Sequence, residues 1–292
     1  MGPMAYRERT TYQLITLPAI LVLLGLTVIP ILTTFCLSFT SLDLARQFKP
    51  SFAGLYNYTK LFSDSRFLNS LYVTVFFVVV PVALQMLFGL VLALLLEKDL
   101  PGTGLARAMF IMPMVVPPIV VGLMWKVLFI PKLGGLNYFL GVIGISAPDW
   151  LNAPGTAQWA VTIAAVWAWT PFCMLMFLAG LETLPGEFYE AAVIDGAAWH
   201  QTLRFITLPL LRPIATVVLL FRIIEALAIF PVIFIMTGGG PAGATEPINY
   251  YAYLTGFSYM EVSYAATLVV VFFATLYAFC FFFLRSAVMQ RA

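Results

Sequence analysis

The chain has 292 residues, 62% of them Ala, Val, Ile, Leu, Met, Phe, Trp, Tyr or Cys and only 10% Asp, Glu, Lys or Arg, with a mean hydropathy of +0.98. So few charges cannot cover a water-facing surface, which excludes a soluble globular domain; the apolar content excludes a disordered chain. With 15 basic against 13 acidic residues the formal net charge is +2, which leaves no basic face for nucleic acid. A single polytopic membrane domain over 1–292 is expected.

A membrane helix needs about 20 apolar residues, and the stretches 14–38, 67–96, 108–130, 157–181, 210–236 and 262–284 supply them. Neither period-2 alternation nor short alternating segments dominate, so an all-α bundle of six transmembrane helices fits and a β-barrel does not. Arg7 and Arg9 precede the first stretch, which is too long for a signal-peptide core and has no small-x-small site after it; it reads as an uncleaved span. Prolines 18, 30, 81, 113, 117, 118, 171 and 231 fall inside the stretches. Each removes a backbone donor and predicts a kink, which suits a protein that opens and closes a cavity. The outer loops 39–66, 131–156 and 237–261 hold turn formers and aromatics but are too short to be folded domains. Cys36, Cys173 and Cys280 read as small core hydrophobes, and the lone His200 excludes a two-histidine metal centre within this chain.

Loop 182–209, between the fourth and fifth stretches, is long, polar and patterned. Glu187 sits in a first helical turn, where an acidic side chain suits the dipole. Tyr189 to Ile194 continue that helix, with Glu190, Ala191 and Ala192 as good formers. Gly196 supplies the left-handed backbone that ends it. Trp199 to Ile206 predict a second helix with Trp199, Leu203 and Ile206 on one face, and Pro209 and Pro213 mark the start of span five. Such a hairpin is either something a grooved soluble partner grips or an amphipathic connector on the membrane.

Glu190-Ala191-Ala192, Asp195-Gly196-Ala197 and Ile206-Thr207-Leu208-Pro209 together resemble the EAA signature of ABC importer permeases: E-A-A, a D-G pair, and I-x-L-P after about nine residues. Phe52 to Tyr58 is similar to the family's F-x-G-L-x-N-Y motif. Thr237 to Pro241, ahead of Ala244-Thr245-Glu246, is similar to the stretch after the fifth span in sugar permeases. These features resemble the carbohydrate-uptake branch, of maltose and glycerol-3-phosphate type, and its F-like subunit in particular. The resemblance implies the type I ABC importer permease fold in the cell inner membrane. It implies a second permease as heterodimer partner, two copies of a cytoplasmic ATPase that bind ATP and magnesium, and an extracytoplasmic solute-binding protein. It implies that Glu190, Ala191, Ala192, Asp195 and Gly196 couple the chain to the ATPase. No G-x-x-x-x-G-K-[ST] is present, so no cofactor or catalytic residue is expected in this chain.

An even number of spans places both termini on one side. With that side cytoplasmic, the inner segments hold Arg7, Arg9, Lys98, Arg107, Arg204, Arg212, Arg285 and Arg291, against Arg46, Lys49, Lys60, Arg66 and Lys132 outside, in line with the positive-inside rule. Charges within spans are functional hypotheses by default. Arg222 and Glu225, at i and i+3 on span five, form either a substrate-facing patch or a structural ion pair. In span four, Trp167, Trp169, Thr170 and Phe172 surround Pro171. Aromatic faces there stack on sugar rings or pack as core, and the resemblance favours Trp169 and Phe172 as substrate contacts. Trp125, Lys126, Asn249, Tyr250 and Tyr253 are weaker candidates. Members of the family it resembles often carry an aromatic and an acidic residue where this chain has Phe230-Pro231, a proline expected to kink span five. The alternatives are a secondary transporter, which leaves the EAA loop unexplained, and an intramembrane enzyme, which lacks paired carboxylates.

Overall fold

The computed structural model describes residues 3–289 apart from 47, 99, 100 and 132, and within that range the side chains of 16–281 and 285. Arg7, Arg9, Lys132 and Arg291, which enter the topology argument, lie outside the described side chains. Helix α1 (Pro3–Ser38) passes through Pro18 and Pro30, and a short α2 (Tyr56–Ser63) leads to α3 (Ser65–Leu96), which passes through Pro81. The third apolar stretch is not one helix. It is α4 (Thr103–Val115) and α5 (Pro118–Leu128), bent by 98°. The cause is Pro117-Pro118: neither has an N–H, and a residue before proline is pushed out of the α region. Val116 and Pro117 accordingly take extended ψ values of 126° and 141°.

After α6 (Gly135–Val142), α7 (Pro154–Glu182) opens with proline in its first turn and passes through Pro171. Then come α8 (Gly186–Ile194) and α9 (Trp199–Thr202). A π turn, Leu203–Thr207, joins α9 to α10 (Leu208–Ala226), so Trp199–Ala226 is one spanning unit. This corrects the expectation that Pro209 begins a separate helix. The Leu208 N–H reaches back to the Leu203 carbonyl, and this wider turn accommodates the missing Pro209 donor without a break. Helix α10 stops before Pro231, which falls in the first turn of α11 (Phe230–Met236); span five is therefore interrupted, not merely kinked. Helix α12 (Ile248–Tyr253), a second π turn and α13 (Val262–Met289) complete the chain. Among the described residues there is no strand; Thr40 and Phe52 form an isolated bridge. Five helical segments are long and apolar enough to cross a membrane, and the bent pair makes a sixth.

The chain forms two compact units. In the first (Met1–Asp64, Ala252–Ala278), the F-x-G-L-x-N-Y motif acts structurally: Asn57 is buried and its Nδ2 donates to the carbonyls of Ser38 (2.9 Å) and Thr40 (2.8 Å). Lys60 pairs with Glu261 at 3.1 Å and lies 4.0 Å from the Tyr264 ring centroid. The described apolar flank of α1, Cys36 included, is almost entirely exposed, so Cys36 is not a core residue.

In the second unit (Ser65–Tyr251, Phe279–Ala292), α3 lies along α7 at very close range. A Cβ on Gly89 would sit 2.4 Å from Cys173 Cβ and 2.9 Å from the Met174 amide nitrogen. Small residues at such crossings let helix backbones approach where lipid supplies no hydrophobic drive. Cys173, Met174, Phe177 and Ala93 form the packed core around it, so Cys173 is the small core hydrophobe expected.

Candidate functional site

A cavity of about 440 Å³ opens within the second unit, between α3, the α4–α5 break, α7 and the end of span five. Trp169, Arg222 and Glu225 line it, together with Gln85, Met114, Val116 and the paired prolines. Its walls are otherwise apolar, as small-molecule sites are. Phe172 is not in the wall; its ring centroid is 6.0 Å from the Arg222 guanidinium carbon and 6.4 Å from the Phe221 ring.

The i, i+3 spacing of Arg222 and Glu225 does not produce an ion pair. Arg222 is 1% exposed, and its Nε donates instead to Gln85 Oε1 at 3.0 Å. Gln85 Nε2 in turn donates to the Ala165 carbonyl at 3.0 Å. The guanidinium lies 4.4 Å from the Trp169 ring centroid, a separation at which the ring quadrupole stabilises a cation. One guanidinium nitrogen, NH1, is buried without a partner. Glu225, one turn on, is exposed to the cavity. A tertiary clamp joining α3, α7 and α10 has therefore displaced the local pair. Gln85, the member of the clamp that sequence reading missed, was visible only as an amide in an otherwise apolar span, which needs a partner when buried.

The weaker candidates have structural partners. Lys126 Nζ donates to the Ile235 carbonyl at 2.9 Å, at the C-terminal end of α11, where a cation suits the helix dipole. Trp125 packs between Phe129 and Trp167. Asn249 and Tyr250 are internal, not surface anchors. Asn249 Nδ2 donates to the Leu227 carbonyl at 2.9 Å, the oxygen that lost its ladder partner to Pro231. Tyr250 is buried against Phe230 and against Gly239, where a Cβ would meet the Tyr250 ring at 2.8 Å. The glycine-rich loop is fixed further by buried Glu246, which takes a two-pronged contact from Arg66 (2.6 and 2.8 Å). Tyr253 belongs to the first unit, its ring tilted against Phe257 with centroids 5.3 Å apart.

The hairpin forms as its residues dictate. Gly196 has φ +71°, and α8 closes with the paired bonds of a Schellman cap: Ala197 N–H to Ala192 O (2.9 Å) and Gly196 N–H to Val193 O (3.1 Å). Within the second arm Gln201 Oε1 accepts from the Ala198 N–H at 2.7 Å. Tyr189 and Thr207 hydroxyls meet at 3.1 Å and tie the arms together. Ala192 is buried, while Glu190, Ala191, Asp195 and Gly196 are exposed. Beside them Val193 (78% exposed), Ile194 (85%) and Trp199 (72%) present apolar surface. Trp199 therefore does not share a packed face with the half-buried Leu203 and Ile206.

Residues 85–292 match the family described as the inner membrane component of binding-protein-dependent transport systems. The chain belongs to that family. It is a multi-pass inner-membrane component, and permease subunits of transport systems resemble it over most of its length. It is 40% identical over 248 residues to the trehalose/maltose transport system permease protein of Thermococcus litoralis, covering 85% of this chain and 84% of that one. It is 36% identical over 242 residues to the sn-glycerol-3-phosphate transport system permease protein of Agrobacterium fabrum, 82% of each. The fold matches that of a bacterial ABC transporter involved in import of the acidic polysaccharide alginate, with a TM-score of 0.83, 20% identity and 96% of both chains covered. A structure of a bacterial alginate ABC transporter in complex with a pentasaccharide-bound periplasmic protein matches with a TM-score of 0.77, 20% identity and coverage of 91% of this chain and 89% of that one.

Proposed function

We propose that this inner-membrane component is one permease domain of a sugar importer, with both termini cytoplasmic. It pairs with a second, different permease and receives a sugar or sugar derivative from an extracytoplasmic binding protein. Two copies of a separate ATPase, which hold the ATP and magnesium, drive it. The observation that carries this reading is the hairpin: a rigid, capped helix end whose exposed surface combines Glu190 and Asp195 with Val193, Ile194 and Trp199. Uncovered apolar side chains flanked by charge suit a soluble partner's groove. Relatives named for trehalose/maltose and glycerol-3-phosphate transport support a sugar or polyol cargo. The 440 Å³ cavity, with Glu225 exposed and Trp169 in its wall, supplies a place for it.

The mechanism follows from rigidity. Helix α9, the π turn and α10 are continuous from Trp199 to Ala226, so a push on the hairpin is transmitted along span five to Glu225 at the cavity. Glu190, Ala191, Ala192, Asp195 and Gly196 couple the ATPase to this lever. Ala192 permits close packing beneath the docking face, and Gly196 fixes its end. Glu225, Trp169 and Arg222 face the substrate from the wall, and Phe172 supports them from behind it. A cysteine at Ile194 should cross-link to the ATPase of the assembled importer, in a yield that changes with nucleotide. Cross-linking to lipid alone would contradict the docking role.

A further inference from the structure

The break in span three creates carbonyl oxygens that no described residue satisfies. In a helix the Met114 carbonyl would accept from the amide of residue 117 or 118, and both are prolines, which have no N–H. One proline would leave the neighbouring amide; two in a row remove both. The Val116 carbonyl, in the extended link, accepts no hydrogen bond among the described residues. Met114 and Val116 both line the cavity. The break in span five makes the contrast. There Pro231 orphans the Leu227 carbonyl, and Asn249 Nδ2 donates to it. At membrane depth an unsatisfied carbonyl is costly, and broken helices persist where they line a cavity whose contents complete them.

The remaining polar groups at the wall fit the same ligand. Glu225 is an acceptor exposed to the cavity. Gln85 has its oxygen and nitrogen engaged by Arg222 and Ala165. Arg222 lines the same wall, its Nε held by Gln85 and its NH1 without a partner among the described residues. Trp169 Nε1 in the same wall is a neutral donor. Arg222 and Glu225 give the wall no net charge, and its bared carbonyls together with Glu225 are acceptors, which suits a neutral ligand with many hydroxyl donors.

We propose that the carbonyls of Met114 and Val116 bind hydroxyl groups of a neutral sugar, with Pro117 and Pro118 acting as specificity-determining residues because they withhold the amides that would otherwise occupy the Met114 oxygen and hold Val116 in the extended link that leaves its oxygen bare. This rests on the sugar-importer reading. The test uses the whole importer, with second permease, ATPases and binding protein, in proteoliposomes. Uptake of maltose, trehalose, their monodeoxy analogues, glycerol-3-phosphate and a uronate disaccharide is measured, each normalised to its affinity for the binding protein. Pro118→Ala restores the amide that a helical link would direct at the Met114 oxygen. It should lower neutral-sugar uptake about tenfold through a higher half-saturation concentration, while binding-protein-stimulated ATP hydrolysis persists. At least one deoxy analogue should lose about tenfold in the wild type and nothing further in Pro118→Ala, a non-additivity that a merely structural proline would not give; Pro117→Ala serves if Pro118→Ala does not assemble. Equal deoxy penalties in wild type and variant, or uptake confined to the phosphate or uronate, overturn the inference and leave the importer standing. Absence of ATP-driven uptake of any sugar overturns the importer reading and the inference with it.

Discussion

Substituting Gly196 by Asp separates folding from coupling, because the two costs there are of different size and origin. Gly196 has φ +71°, and a Cβ placed on it meets no heavy atom within 4 Å. The folding penalty is therefore only that of a left-handed backbone, roughly 1–2 kcal/mol and at the low end for Asp, whose side chain bonds locally. An added anion at the negative end of α8, beside Asp195, costs a further 0.3–1 kcal/mol or so. Against roughly 5–15 kcal/mol of stability for a domain, that leaves the chain folded and assembled. At a docked interface the same side chain is an unpaired charge in a close contact, a burden of several kcal/mol. In the assembled importer, Gly196→Asp should leave size-exclusion behaviour and subunit stoichiometry intact and abolish ATP-driven uptake. Gly196→Ala, with the backbone cost and no charge, should retain a substantial fraction. Wild-type transport by Gly196→Asp would refute the assignment of this helix end to coupling.

Other perturbations read the framework of the cavity. Gly89→Val forces β-branched bulk onto the Cys173 and Met174 backbone and should destabilise by about 1–3 kcal/mol or more, seen as a lowered melting midpoint and poor yield in detergent. Asn249→Leu keeps the side-chain volume but bares the Leu227 carbonyl at the span-five break; a loss of about 1–3 kcal/mol should appear as early melting, and an unchanged midpoint would argue that the bond does not matter. Arg222→Lys keeps the charge yet loses the planar stacking on Trp169 and the Nε bond to Gln85. It should cost about 1.5–3 kcal/mol and shift tryptophan emission, whereas indistinguishable spectra and melting would show that the clamp is incidental.

What the sequence made legible is what is locally determined. Six apolar stretches, the turn chemistry of Gly196 and the register of Glu190 to Pro209 each depend on neighbours a few residues away; helices cover the stretches, the third as a bent pair and the fifth broken before Pro231. The break in span three was within reach: Pro117 and Pro118 were visible, but counted alongside prolines such as Pro81 and Pro171 that lie in unbroken helices. The distinguishing fact is that adjacent prolines remove both amides able to reach one carbonyl. The Arg222–Glu225 pairing failed for the opposite reason. Its spacing is right, yet the guanidinium is claimed by Gln85, 137 residues away, a partner no local rule supplies. The two-pronged contact of Arg66 with Glu246 spans 180 residues and was equally out of reach.

The most direct test of the account is the composition of the complex in its own membrane. Tagged chain, solubilised gently from the cell that makes it and identified with its companions by mass spectrometry, should bring down a second permease and an ATPase in a ratio of one to one to two. Recovery of the chain alone, stable and without an ATPase, would contradict the importer reading and return the secondary transporter to first place.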